Sequence, residues 1–126
     1  MGTGLGPVNG VLVWTEAARF PALRDFYVET LGLVPRADRD GHVDFEWGGL
    51  RLTIAVHDDI GGPAREPLRV MINFAVEDIE AEHARLREAG VAFTRLPGRE
   101  PWGGLVATFA DPDGNTLQLL QLPPGR

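Results

Sequence analysis

His42, Asp44 and Glu46 alternate with Val43, Phe45 and Trp47, so an extended strand would carry an imidazole and two carboxylates on one face. That set could move a proton near neutral pH or hold part of a divalent ion's shell. The plainer expectation is a solvated sheet face. His57 continues the phase of Arg51 and Thr53 and runs into Asp58 and Asp59. An imidazole there, at the edge of a cleft and near a carboxylate, is the leading candidate for acid–base catalysis. His83 falls in helical phase with Ile79 and Leu86 and reads as a structural, partly buried histidine.

Absent residue types remove whole classes of chemistry. The sequence has no cysteine, serine or lysine, and all twelve basic residues are arginine. Disulfides, thiolate sites, serine nucleophiles and lysine Schiff bases are therefore unavailable. The net charge is −6 with no basic stripe, which argues against nucleic acid as a partner because phosphate neutralisation needs clustered cations. No run of eighteen apolar residues occurs, so no membrane span is expected. The first residues lack the basic and apolar regions of a secretory leader, and cytoplasm is the expected compartment. At 126 residues the chain reads as a single domain.

These residues need elements to position them. Val11–Trp14 reads as a buried strand, with Val11 and Val13 on the face of Asn9, and Leu12 and Trp14 on the other. Helical spacing runs from Glu16 to Leu31, with Pro21 near the start and Gly32 as the stop. Strands follow at Leu33–Ala37, His42–Trp47 and Leu50–His57, joined through Asp40-Gly41 and Gly48-Gly49. A turn-rich connector, 58–68, leads to a second passage of the same order. There the predicted elements are a strand Arg69–Val76, a helix Glu77–Ala89, and strands Val91–Leu96, Leu105–Ala110 and Thr116–Leu122. The sequence thus predicts an α+β chain of two βαβββ modules, about 8–57 and 69–122. Each sheet would cover one face with its helix, and the two remaining faces together would form a cleft. A single ferredoxin-like sandwich accommodates the hairpins less well. By their phase with Leu12 and Phe45, Trp14 and Trp47 are expected in the core.

The closing stretch, Ala110-Asp-Pro-Asp-Gly-Asn115 followed by a strand through Gln118, adds a further signal. Together with the repeat and the Pro101-Trp102-Gly103 loop, it resembles the vicinal-oxygen-chelate superfamily, which includes glyoxalase I, extradiol dioxygenases and bleomycin-resistance proteins. The resemblance spans roughly residues 8–122 and implies the paired βαβββ fold and a homodimer. Metal-using members place a His on the first strand of each module and a Glu on the last. Matched by strand phase, those positions hold Asn9, Thr53, Met71 and Gln118 in this chain. Amide oxygens are only neutral auxiliaries to hard cations and a thioether prefers soft ions, so neither a metal nor another cofactor is expected.

What remains resembles a recognition surface. Asn9, Thr53, Asn73 and Gln118 can donate and accept hydrogen bonds, Met71 offers an adaptable apolar wall, and Trp102 could pack over a ligand from its Gly-flanked loop. Such a site would recognise a ligand without a fixed positive charge. The expected function is metal-independent binding of an aromatic or amphipathic small molecule, nearest in type to the bleomycin-resistance proteins. The alternative is a lyase, isomerase or dioxygenase of the same superfamily, with a displaced metal site or with His57 as acid–base group. A regulatory module using only its dimer surface is a third reading.

Overall fold

The computed structural model describes residues 4–125. The chain divides into two compact units at Gly62/Pro63, inside the expected connector. The connector's first part belongs to the first unit, where the Gly62 N–H donates to the Glu16 carboxylate at 3.3 Å. Its second part belongs to the other unit, where the Ala64 N–H donates to the Asp113 carbonyl at 2.8 Å.

The first unit consists of β1 (Gly10–Thr15), α1 (Phe20–Asp25), a π-helical turn (Phe26–Thr30), β2 (Ala37–Arg39), β3 (His42–Trp47) and β4 (Leu50–Val56). Its sheet order is β1-β4-β3-β2, with β1 parallel to β4 and the other pairs antiparallel. The second unit repeats this with β5 (Met71–Ala75), α2 (Ile79–Glu88), β6 (Phe93–Arg99), β7 (Leu105–Ala110) and β8 (Thr116–Gln121), in the order β5-β8-β7-β6. The predicted α+β repeat of βαβββ modules is therefore present.

The helical segment of the first unit departs from the uniform 16–31 helix predicted. Phe20, Leu23, Tyr27 and Leu31 are buried at helical spacing, but the chain widens to an i→i+5 turn, closed by the Leu31 N–H to the Phe26 carbonyl at 2.8 Å. Tyr27 then stacks on Phe45 of the sheet, with ring centroids 6.4 Å apart. In the second unit α2 is capped by Asp78, whose carboxylate accepts the Ala81 N–H at 3.1 Å. The Gln121 side chain accepts the Ile79 N–H at 2.8 Å, tying the last strand to the helix start. Ile79, His83 and Leu86 form its buried stripe, as predicted. The ring of His83 meets Phe93 edge-on at 4.6 Å, and its Nε2 is buried without a hydrogen-bond partner among the described residues.

Two phase readings are corrected. In register, Leu12 pairs with Thr53 and Trp14 with Ala55, so Leu12 and Trp14 share the polar face of the sheet, while Val11 and Val13 face the helix side with Leu52 and Ile54. Trp14 is 42% exposed and not a core residue. Trp47 stacks on Phe45 at the sheet's end but is also exposed, because β3 turns at once into the Gly48-Gly49 hairpin. β2 starts at Ala37 rather than Leu33; Pro35 has no N–H to give a ladder, and pairing begins only after the Arg36 N–H donates to the Asp44 carbonyl at 2.8 Å.

Candidate functional site

Each unit buries one sheet face under its helical segment and leaves a polar face. In the first unit this face carries, across its strands, the row Leu12, Thr53, Asp44 and Ala37. Around it lies an open hollow of about 710 Å³, lined by Asn9, Leu12, Arg36, Arg39, His42, Asp44, Glu46, Arg51 and Thr53 among others. That volume falls in the range of small-molecule sites. Asn9 reaches the hollow from just before β1, where its carbonyl accepts the Arg51 N–H at 2.9 Å. Asn9 and Thr53 are thus brought to one place, although by a strand phase different from that expected.

Asp44 is the centre of the hollow's electrostatics. It is only 2% exposed, yet it is not stranded. Arg36 donates Nε and Nη2 to its two oxygens, each at 2.9 Å, and His42 Nε2 lies 3.0 Å from Oδ2. The fork of donors from Arg36, helped by His42, holds the Asp44 carboxyl below the usual carboxylate range against the opposing effect of burial. An ionised carboxylate only accepts, so His42 carries its proton on Nε2 and keeps Nδ1 as its second polar atom. Glu46 lies 3.4 Å from Arg51 Nε and 3.7 Å from Arg36 Nε. The polar patch foreseen on β3 is therefore an ordered network. Its arginines were not singled out from the sequence, and they replace the expectation of a site without fixed positive charge. For Arg39 a signal existed: the Asp40-Gly41 turn, with Gly41 at φ 76°, forces it opposite His42.

His57 sits just beyond β4, with its N–H donating to the Thr15 carbonyl at 3.0 Å. Its ring meets Trp14 edge-on at 5.0 Å, and Nδ1 accepts the Asp59 N–H at 3.1 Å. Among the described residues the imidazole bound to a carboxylate is His42, not His57.

In the second unit Asn73, Gln118, Thr108 and Arg95 form the corresponding row, Arg95 being paired with Glu100 at 2.8 Å, and Met71 shares the face of Asn73 and Gln118. The structure thus brings Met71, Asn73 and Gln118 together as the sequence suggested. Trp102 stands apart on the loop before β7. It is half-exposed, and its indole lies against Gly104, where an added Cβ would come within 2.0 Å of the ring. Only glycine can accept that contact.

The donor set does not suit a metal. Among the described residues no three His, Asp or Glu side chains are grouped so as to hold an ion. Leu12 and Thr53 on one face, and Asn73 and Gln118 on the other, supply no anionic ligand, and both oxygens of Asp44 are already engaged. No helix of the described residues is long and apolar enough to cross a membrane.

Comparison with other proteins agrees with this architecture. The uncharacterized protein YurT of Bacillus subtilis is 31% identical, over 77% of this chain and 86% of its own length. A glyoxalase/bleomycin resistance protein/dioxygenase from Nocardioides superposes with a TM-score of 0.75 at 22% identity, covering 99% of this chain and 89% of that one. A lactoylglutathione lyase from Agrobacterium tumefaciens does so with a TM-score of 0.71 at 16% identity, covering 93% and 94%. The two structures show a shared fold. The sequence pattern of the family matches residues 17–119, spanning both repeated units, and the chain belongs to the Glyoxalase/Bleomycin resistance protein/Dioxygenase superfamily.

Proposed function

We propose that the chain is a metal-independent small-molecule-binding member of this superfamily that sequesters an aromatic or amphipathic compound, as a homodimer in the cytoplasm. The carrying observation is that the central rows of both polar sheet faces, Leu12-Thr53-Asp44 and Asn73-Gln118-Thr108, offer neutral side chains suited to recognition, with the one carboxylate, Asp44, already held by Arg36 and His42. Metal analysis of protein purified without chelator tests it. About one tightly held equivalent of iron, manganese, nickel or zinc per chain overturns the proposal. A ligand present at 100 times its Kd adds about 2.7 kcal/mol of stability, so a thermal-shift screen of aromatic compounds is a sensitive positive assay.

A second reading has its own observation. His42 Nε2 against Asp44 at 3.0 Å, in an open hollow, is the arrangement of an imidazole oriented by a carboxylate for proton transfer. On that reading the protein is an enzyme of acid–base type, with Nδ1 of His42 facing the reacting group and His57 as the other candidate base. Loss of turnover with retained binding in His42→Ala, or in His57→Ala, would assign the base. Binding without turnover in wild type would remove the reading.

A further inference from the structure

The hollow of the first unit is positively biased in a chain whose net charge is −6. Its lining sets Arg36, Arg39 and Arg51 against Asp44 and Glu46. Both carboxylates are engaged, Asp44 by Arg36 and His42, and Glu46 by Arg51 and Arg36. Arg39 has no carboxylate in salt-bridge range among the described residues. Its neighbour Asp38 points to the helical side, where it accepts Arg24 Nε at 3.3 Å, so strand alternation leaves Arg39 on the polar face.

The register gives that unmatched cation a setting. Arg39 pairs with His42, His42 with Ala55, and Ala55 with Trp14, so one straight row crosses all four strands. Three strand spacings make the row roughly 14 Å long between backbones, and the side chains at its ends shorten the free span. A guanidinium and an imidazole stand at one end, and a half-exposed indole, braced by His57, at the other. Ala55 between them is a small, buried residue that forms the floor of the row. A planar fork donor recognises a carboxylate in two-point fashion, and an indole face or edge recognises an aromatic ring.

We infer that this row binds an aromatic carboxylate, with its anionic head on the Arg39 guanidinium and its ring against Trp14. The inference rests on the small-molecule-binding reading above and names its ligand class. Calorimetric titration of the full chain with 2-naphthoate and its neutral isostere 2-naphthamide tests it. The acid should bind about tenfold more tightly than the amide. Arg39→Gln, on an exposed edge strand, should abolish that preference, whereas Arg39→Lys should restore part of it. Trp14→Leu should weaken both probes alike, and Arg69→Gln in the other unit should change neither. Equal affinity for acid and amide, an unchanged preference in Arg39→Gln, or no naphthoate binding up to its solubility overturns the inference. If both probes bind equally, only the ligand class falls. If neither binds and the protein also carries a stoichiometric metal, the binding function falls with it.

Discussion

Asp44 and Thr108 hold the same place in the two units, each on the third strand of its module and paired with the middle of the last strand, Thr53 or Gln118. Around Asp44 the sheet face is a charged network of Arg36, His42, Glu46 and Arg51. Around Thr108 the central strands are uncharged, with Gln118 and Asn73 in the same row, and the one charge in the row, Arg95 on the edge strand, is matched by Glu100 at 2.8 Å. The opposite faces show no such divergence, since Phe45, Leu52 and Ile54 in one unit and Phe109, Leu117 and Leu119 in the other are all buried apolar residues. Packing against a helix tolerates little change in volume or polarity, whereas a face left for ligands can be rewritten one residue at a time. The two halves share a frame and have parted in chemistry.

Truncating the two equivalent residues should break the comparison most sharply. Asp44→Ala leaves Arg36 and His42 without their shared acceptor, and with Arg36 42% exposed to soften the loss, a cost of about 2 kcal/mol is expected. Thr108→Ala removes a hydroxyl and a methyl, breaks no ion pair, and should cost less than about 1 kcal/mol. Urea unfolding of both variants at neutral pH measures the difference. Equal losses would mean that the Asp44 network is surface decoration.

Much of this frame was legible from residue order. The ranges of β3 and β7 agree with those predicted because turn glycines or the Pro-Asp-Gly stretch fix where the chain can reverse. Gln118, Asn73 and Met71 alternate with apolar residues, so their common face was readable too. β1 was not, since Val11, Leu12, Val13 and Trp14 are apolar at both parities and give alternation nothing to act on. Register alone puts Leu12 and Trp14 beside Thr53 and Ala55. The pairing of Arg36 with Asp44 was equally hidden, because a guanidinium meeting a carboxylate across a strand pair depends on where β2 begins, and Pro35 sets that start.

Acid should distinguish the two faces by a smaller margin. The Asp44 carboxyl is held below its ordinary range when folded, so its pairing contributes stability in full above the unfolded value of about 3.9. That contribution is lost as pH falls from there through the lower folded value. The urea midpoint of wild type should therefore drop over this window, and Asp44→Asn, which has no such proton to take up, should show a shallower slope. Thr108→Val should leave the slope as in wild type. An unchanged slope in Asp44→Asn would place the acid sensitivity elsewhere, with Asp38 beside Arg24 the next carboxyl held low.

The smallest effect is expected around Gln118, one of the positions where the sequence suggested a lost ligand. Register sets Asn73 opposite it, and Met71, the matched His position, opposite Thr116. Asn73 and Gln118 are direct neighbours across the β5–β8 pair, so Asn73→His with Gln118→Glu sets an imidazole beside a carboxylate on the neutral face. Asn73 is exposed and Gln118 half-buried, and the exchange should shift stability by no more than about 0.5–1 kcal/mol. Two ligands fall short of the three that catalytic zinc sites take from the protein, and the row's other residues, Thr108 and the cation Arg95, are not metal ligands. Zinc or nickel should therefore raise the melting temperature of the double variant only slightly and leave wild type unmoved. A large shift in the double variant would show that its fold still presents the remaining coordination geometry, so that the neutral face differs from a metal site by two side chains and no more. A large shift in wild type would instead break the contrast between the faces, because amides and a hydroxyl would then be holding an ion that their chemistry gives no reason to hold.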